Sequence, residues 1–173
     1  MAGATWALLI YTVPASPTRK RAAVWREVKR LGALYLRDGV CALPDTSASR
    51  AGLEALAERI ESLDGQATLV WEGQLSPAVA QALHADWVRA RELEYAEVAE
   101  AAADLLQHVQ REARHHGFEP AERVSLTGDL ARMERWLEQV VARDYLQTGD
   151  PTPIAATLTA CRAVLDGQVA PLA

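Results

Sequence analysis

Apolar and polar positions repeat with two different periods along this chain, and the change-over falls near residue 76. Residues 5–13, TWALLIYTV, are rich in strand-forming residues and too apolar for an exposed strand, so they predict a central strand ended by Pro14 and Pro17. A helical period follows over 19–31. Val24, Val28 and Leu31 fall on one face at i, i+4 and i+7, and Arg19, Ala23, Arg26 and Arg30 on nearly the opposite one. Thr18 is the expected N-cap, Trp25 lies at the flank of the apolar stripe, and Gly32 stops the helix.

Residues 33–44, ALYLRDGVCALP, hold Asp38-Gly39 between two apolar runs. That reads as a tight turn between short strands, or as a bend in one longer strand. Ser47 or Ser49 then caps a helix that ends near Gly65 and buries Leu53, Leu56, Ile60 and Leu63. QATLVWE at 66–72 is a fourth strand. The order strand, helix, strand, strand, helix, strand predicts an α+β protein whose residues 1–75 form a ferredoxin-like βαββαβ domain, one sheet with two helices on one face.

No strand pattern appears after Ser76-Pro77, where Ser is the expected N-cap and Pro the first helical residue. Residues 77–116 read as one long helix capped by Gly117, with a break near residue 86 as the alternative. A second helix is expected over about 127–146, with Leu130, Met133, Leu137 and Val140 inward. A third opens at Thr152-Pro153, turns Leu158, Cys161 and Leu165 inward and closes at Gly167. Residues 76–173 are thus expected to be an α-helical half, a long helix plus two shorter ones.

Composition narrows the function classes. Half the residues are hydrophobic and 24% are charged, a globular rather than a disordered balance. No apolar run approaches the roughly 20 residues needed to span a bilayer, and no charged, apolar and small-residue signal pattern opens the chain. A cytoplasmic protein without membrane contact is the expectation. Cys41 and Cys161 lie far apart and form no metal-like pair, so both are expected as buried, reduced thiols. Trp6, Trp25, Trp71, Trp87 and Trp136 are spread one per element, the spacing of core anchors.

Charge changes the picture most. Up to Arg37 there are seven Lys/Arg against one acid, whereas the remainder carries 11 against 22, a split that the net charge of −5 conceals. The basic cluster is RKRAAVWREVKR at 19–30, and its candidate DNA- or anion-binding residues are Arg19, Lys20, Arg21, Arg26, Lys29 and Arg30. Such a face either contacts phosphates, with strong salt dependence, or is a solvated helix surface whose arginine stems cover apolar neighbours. No helix-turn-helix pattern accompanies it, so binding from this surface alone is expected to read sequence weakly.

The other polar groupings point to structure. Arg89, Arg91, Glu92, Glu94 and Tyr95 cluster on the long helix, and Arg143, Asp144 and Tyr145 at the end of the next. Across antiparallel helices they would pair and fix the register, with a ligand pocket as the minority reading. Glu97, Glu100, Asp104 and His108 run along one helix edge and read as a solvated acidic face, because the facing helix offers only Glu134 and Glu138 as further ligands. No metal or other cofactor is expected. No nucleophile elbow and no glycine-rich phosphate loop appears, so catalytic residues are expected to be absent and the protein not to be an enzyme.

Several segments, in order, resemble the N-terminal region of ChrB-type chromate-resistance proteins: WALLIYTVP, AAVWREVKRLGAL and GVCALP, then EYAEVAEAA, MERWLEQVVARDYL and the alanine-rich last helix with its cysteine and arginine. The first half also resembles the Cas2-like module of phenylacetate-type repressors, which is βαββαβ and pairs across its sheet. The resemblance implies a bacterial regulatory, DNA-associated module of a chromate-response operon, acting as a homodimer. The arginines of the basic cluster could hold chromate, a tetrahedral oxyanion suited to guanidinium groups and to the helix N-terminus at Arg19 to Arg21, as a minority reading, since any basic cluster at a helix start has this form. ChrB proteins of this type continue into a further domain, whereas this sequence stops at Ala173. Cas2-type nucleases carry a metal-binding aspartate at the end of the first strand. Here Ile10-Tyr11-Thr12-Val13 offers no carboxylate, so nuclease activity is not expected. The competing reading is a protein–protein module that docks through the acidic helical half and binds no DNA.

Overall fold

The computed structural model describes residues 5–115 and 117–167, so His116, the expected last residue of the long helix, lies outside them. The protein is α+β and divides into two compact units, Met1–Arg89 and Ala90–Ala173. The division falls within the long helix rather than at Ser76-Pro77, because the first turns of that helix bury Trp87 edge-to-face on Trp6, with ring centroids 6.4 Å apart.

The first unit runs β1 (Trp6–Thr12), α1 (Thr18–Arg30), β2 (Leu34–Arg37), β3 (Val40–Pro44), α2 (Ser47–Glu61) and β4 (Gln66–Gly73), followed by the start of α3 (Pro77–His115). The strands lie in the order β2-β3-β1-β4 with antiparallel neighbours throughout. This is the ferredoxin-like order, made irregular by register shifts between Trp6 and Leu8 and between Tyr35 and Arg37. β1 is central: Leu9 stands opposite Cys41 of β3 and Leu69 of β4, and Leu9 and Cys41 are fully buried. The Asp38-Gly39 pair is a tight turn, with Gly39 at φ +70° and its carbonyl accepting from the Tyr11 N–H at 2.7 Å.

Helix starts differ from the sequence expectation. Pro17, not Thr18, occupies the N-cap of α1, and no side chain caps it, so Thr18 is already helical. Thr46, not Ser47 or Ser49, caps α2. It forms a reciprocal capping box in which the Ser49 N–H donates to Thr46 Oγ1 at 3.1 Å and the Thr46 N–H to Ser49 Oγ at 2.9 Å. Ser49 is fully buried and donates to the Pro44 carbonyl, which ties the helix start to β3. α2 ends at Glu61, leaving Leu63 half-buried beyond it. Gly52 lets α1 and α2 close up, since a Cβ there would meet Leu31 Cδ2 at 2.7 Å.

The second unit packs the remainder of α3 with α4 (Pro120–Arg143) and α5 (Thr152–Leu165). Its core includes Val98 and Val109 of α3, Leu130 and Val140 of α4, and Leu158 and Cys161 of α5. α4 starts seven residues before the expected 127, with Pro120 as its first helical residue, and the added turns bury Leu126. It stops at Arg143 instead of 146, where Asp144 leaves helical geometry at ψ 68°. Neither break nor interruption near residue 86 divides α3. Cys41 and Cys161 are free and buried.

Candidate nucleic-acid interface

α1 owes its orientation to its apolar stripe. Val24 and Val28 are inserted under the sheet unit's core, and this turns the intervening positions outward. Arg19, Arg21, Arg26, Lys29 and Arg30 are exposed, and Lys20 is half-buried. Two of the six cations are engaged locally. Lys20 Nζ pairs with Asp64 Oδ2 at 2.6 Å, and Arg30 Nε with Glu27 Oε2 at 2.7 Å. Lys20 holds the Asp64 carboxyl below the usual carboxylate range through that hydrogen bond. Among the described residues no carboxylate pairs with Arg19, Arg21, Arg26 or Lys29, so four exposed cations stand on one helix of thirteen residues.

Beside α1, at the C-terminal end of β1, lies an open cleft of about 670 Å³ lined by Tyr11, Arg21, Trp25, Tyr35 and Asp38 among others. The Tyr11 and Tyr35 hydroxyls meet at 3.2 Å across its floor. Burial pushes both phenols up, so both remain protonated at neutral pH. Trp25 is 54% exposed, and the core-anchor reading fails for it. Trp6 and Trp87 are fully buried, while Trp71 and Trp136 are half-buried. The sequence carries the signal for Trp25: one residue past Val24 it is rotated about 100° from the buried stripe. Tyr11 and Tyr35 are not recoverable as a pair, because strand register brings them together from 24 residues apart.

The structural cluster gathers in the second unit. Glu94 receives two guanidinium groups, Arg91 Nη2 at 3.3 Å and Arg143 Nε at 3.1 Å, and Arg91 also donates to the Arg143 carbonyl at 3.2 Å. Arg91 is 3% exposed, and burial lowers its pKa against the raising effect of Glu94. Asp144 is buried and accepts from Thr148 Oγ1 and from the Gly149 N–H, both at 2.9 Å, and from the Tyr95 hydroxyl at 3.4 Å. Tyr145 is half-buried within electrostatic reach of Arg91. Arg91, Tyr95, Arg143, Asp144 and Tyr145 are therefore brought together. Arg89 and Glu92 are exposed and stay outside the cluster, Arg89 in the first unit. A second polar cluster was not anticipated from sequence: Asp45, with its side chain only 1% exposed, accepts from Arg50 Nε at 2.5 Å and Nη2 at 3.0 Å and from the Glu72 N–H at 2.6 Å. Arg50 lies over the Trp71 ring at 5.3 Å. Among the described residues no three His, Cys, Asp or Glu side chains gather as a metal site.

The profile of the family described as Protein ChrB, N-terminal, matches residues 21–170. The chain belongs to this ChrB family. The Protein ChrB of Cupriavidus metallidurans is 42% identical over 66 residues, which make up 38% of this chain and 19% of that relative. The match thus spans about a fifth of that ChrB protein's length. No solved structure matches this ChrB-type chain. No helix among its described residues is long and apolar enough to cross a membrane.

Proposed function

We propose that this ChrB-type chain is a cytoplasmic regulatory module of chromate resistance that associates with DNA through the exposed cations of α1. The observation that carries this reading is the set Arg19, Arg21, Arg26 and Lys29, exposed on one helix and without a carboxylate partner among the described residues, in a chain that is otherwise acidic. A solvated face on an acidic protein has every opportunity to recruit carboxylates, and among the described residues this one has recruited them at Lys20 and Arg30 alone. Four phosphate contacts give a salt slope of about −3.6 in log affinity against log salt on B-form DNA. Contact with the backbone alone positions the protein without reading bases, so sequence discrimination from α1 is weak.

Chromate belongs to the same reading as the effector, since a tetrahedral divalent oxyanion competes with phosphate for guanidinium groups. Two copies would pair through the sheet face away from Leu9 and Cys41, a reading supported by its apolar character. Ile10 is 44% exposed on it, and Leu8, Leu34, Val40 and Val70 are half-buried around it. Electrophoretic mobility shift of a duplex over a range of salt tests the reading. A shift lost steeply as salt rises supports it. No shift at low salt removes it and leaves the acidic edge of Glu97, Glu100 and Asp104 as a protein-docking surface.

A further inference from the structure

We propose that the cleft beside α1 takes one unstacked nucleotide of a single-stranded nucleic acid, its base against Trp25 and its phosphate against Arg21. This goes beyond the duplex contacts proposed above and shares with them only Arg21 and Lys29. The first observation is the placement of Trp25. It is the one tryptophan of the described residues that is mostly exposed, and it lines a cleft instead of a flat surface. Its neighbours along the helix at four-residue spacing are Arg21 and Lys29, both exposed and free of carboxylate partners among the described residues, so one row of α1 reads cation, indole, cation.

The second observation is the rest of the lining. At about 670 Å³ the cleft lies within the ordinary size range of ligand sites. The Tyr11–Tyr35 hydroxyl pair supplies a phenolic proton beyond the one used between them, a donor for a phosphate or base carbonyl oxygen. Asp38 adds an acceptor suited to an exocyclic amine, held at the rim by the Asp38-Gly39 turn. An aromatic face for the base, a guanidinium for the phosphate and one donor and one acceptor for the base edge form the set by which single strands are held. A base inside a duplex is stacked on both sides and cannot reach Trp25, so the occupant is a single strand, not a duplex.

The test measures binding of a labelled oligothymidylate and of a labelled duplex to the whole chain by fluorescence anisotropy at fixed salt. Trp25→Ala is expected to weaken oligothymidylate binding about tenfold, the usual scale for loss of one base–aromatic stack, while duplex affinity stays within about twofold. Trp25→Phe, which keeps a ring, is expected to recover most of the loss. Unchanged oligothymidylate affinity in Trp25→Ala overturns the proposal. So does an equal loss on both ligands, which would make Trp25 a support of α1 only, or thymidine monophosphate binding as tightly as the oligomer, which would make the site one for free nucleotides. A duplex that fails to bind the wild-type chain removes the duplex reading but not this one, which is decided on the strand alone.

Discussion

Asp144 closes the turn after α4 by accepting the backbone N–H of Gly149 at 2.9 Å. The same carboxylate takes Thr148 Oγ1 at 2.9 Å on its other oxygen and is buried against Tyr95, so three separate donors depend on one acid. Removing it leaves the buried Tyr95 hydroxyl and the half-buried Thr148 and Gly149 donors without this acceptor, which costs more than an exposed contact is worth. Asp144→Ala is expected to lower unfolding free energy by about 2 kcal/mol or more, whereas an exposed carboxylate pair would cost about 0 to 1. Urea unfolding followed by circular dichroism checks this, and a loss near zero contradicts the structural assignment.

Gly149 is required for a steric reason as well. A Cβ at this position would run into the Tyr95 ring. Gly149→Ala is expected to destabilise by about 1 to 3 kcal/mol, as overpacking does, and Gly128→Ala, where nothing lies within 4 Å, to leave the fold intact or improve it. Thermal melts of the two variants side by side make the comparison.

The Asp45 cluster sets an acid limit for the first unit. Hydrogen bonds from Arg50 hold the Asp45 carboxyl below its ordinary range, helped by the Glu72 N–H and opposed by burial. A carboxylate with a depressed folded pKa stabilises above its unfolded pKa, about 3.9, and that contribution is lost as pH falls through the lower folded value. Urea midpoints are therefore expected to fall below about pH 4 in the wild type, and Asp45→Asn to be less stable at pH 7 with a shallower acid limb. Parallel acid limbs in the two proteins would show that Asp45 contributes nothing to the pH dependence.

Burial pushes the Cys41 thiol up to about 12 and the Cys161 thiol to about 11. Thiolate is then scarce at pH 8, and both sulfurs are shielded. Neither is expected to react appreciably with a thiol-specific chromogenic disulfide in the native protein, and both are expected to react in guanidinium. Fast native reaction of one equivalent would contradict the packing of that cysteine.

The fold was largely legible because its strands and helices carry opposite periods. TWALLIYTV, the Asp38-Gly39 pair and the stripe Leu53, Leu56 and Ile60 each point to one local structure, and the sheet order follows from their sequence. Caps were misread where two hydroxyls compete. Thr46 and Ser49 satisfy each other, so the residue outside the helix is indistinguishable by type from the one inside it. The apolar stripe Leu130, Met133, Leu137 and Val140 marks only the later turns of α4, whereas its start is set by Pro120 at the first helical position and by the burial of Leu126. The α1 cations were visible as a cluster. Which of them are neutralised was not, because Asp64 meets Lys20 from 44 residues away. The cleft was invisible for the same reason: its floor pairs Tyr11 with Tyr35 through strand register.

The salt dependence of duplex affinity in Arg19→Ala/Arg26→Ala tests the role of α1 most directly. Both side chains are exposed and unpaired among the described residues, so the melting temperature is expected to match the wild type. Loss of two phosphate contacts is expected to weaken binding and to flatten the log–log salt slope by about 2. The same affinity and the same slope in mutant and wild type would contradict the assignment of α1 as the DNA-contacting helix.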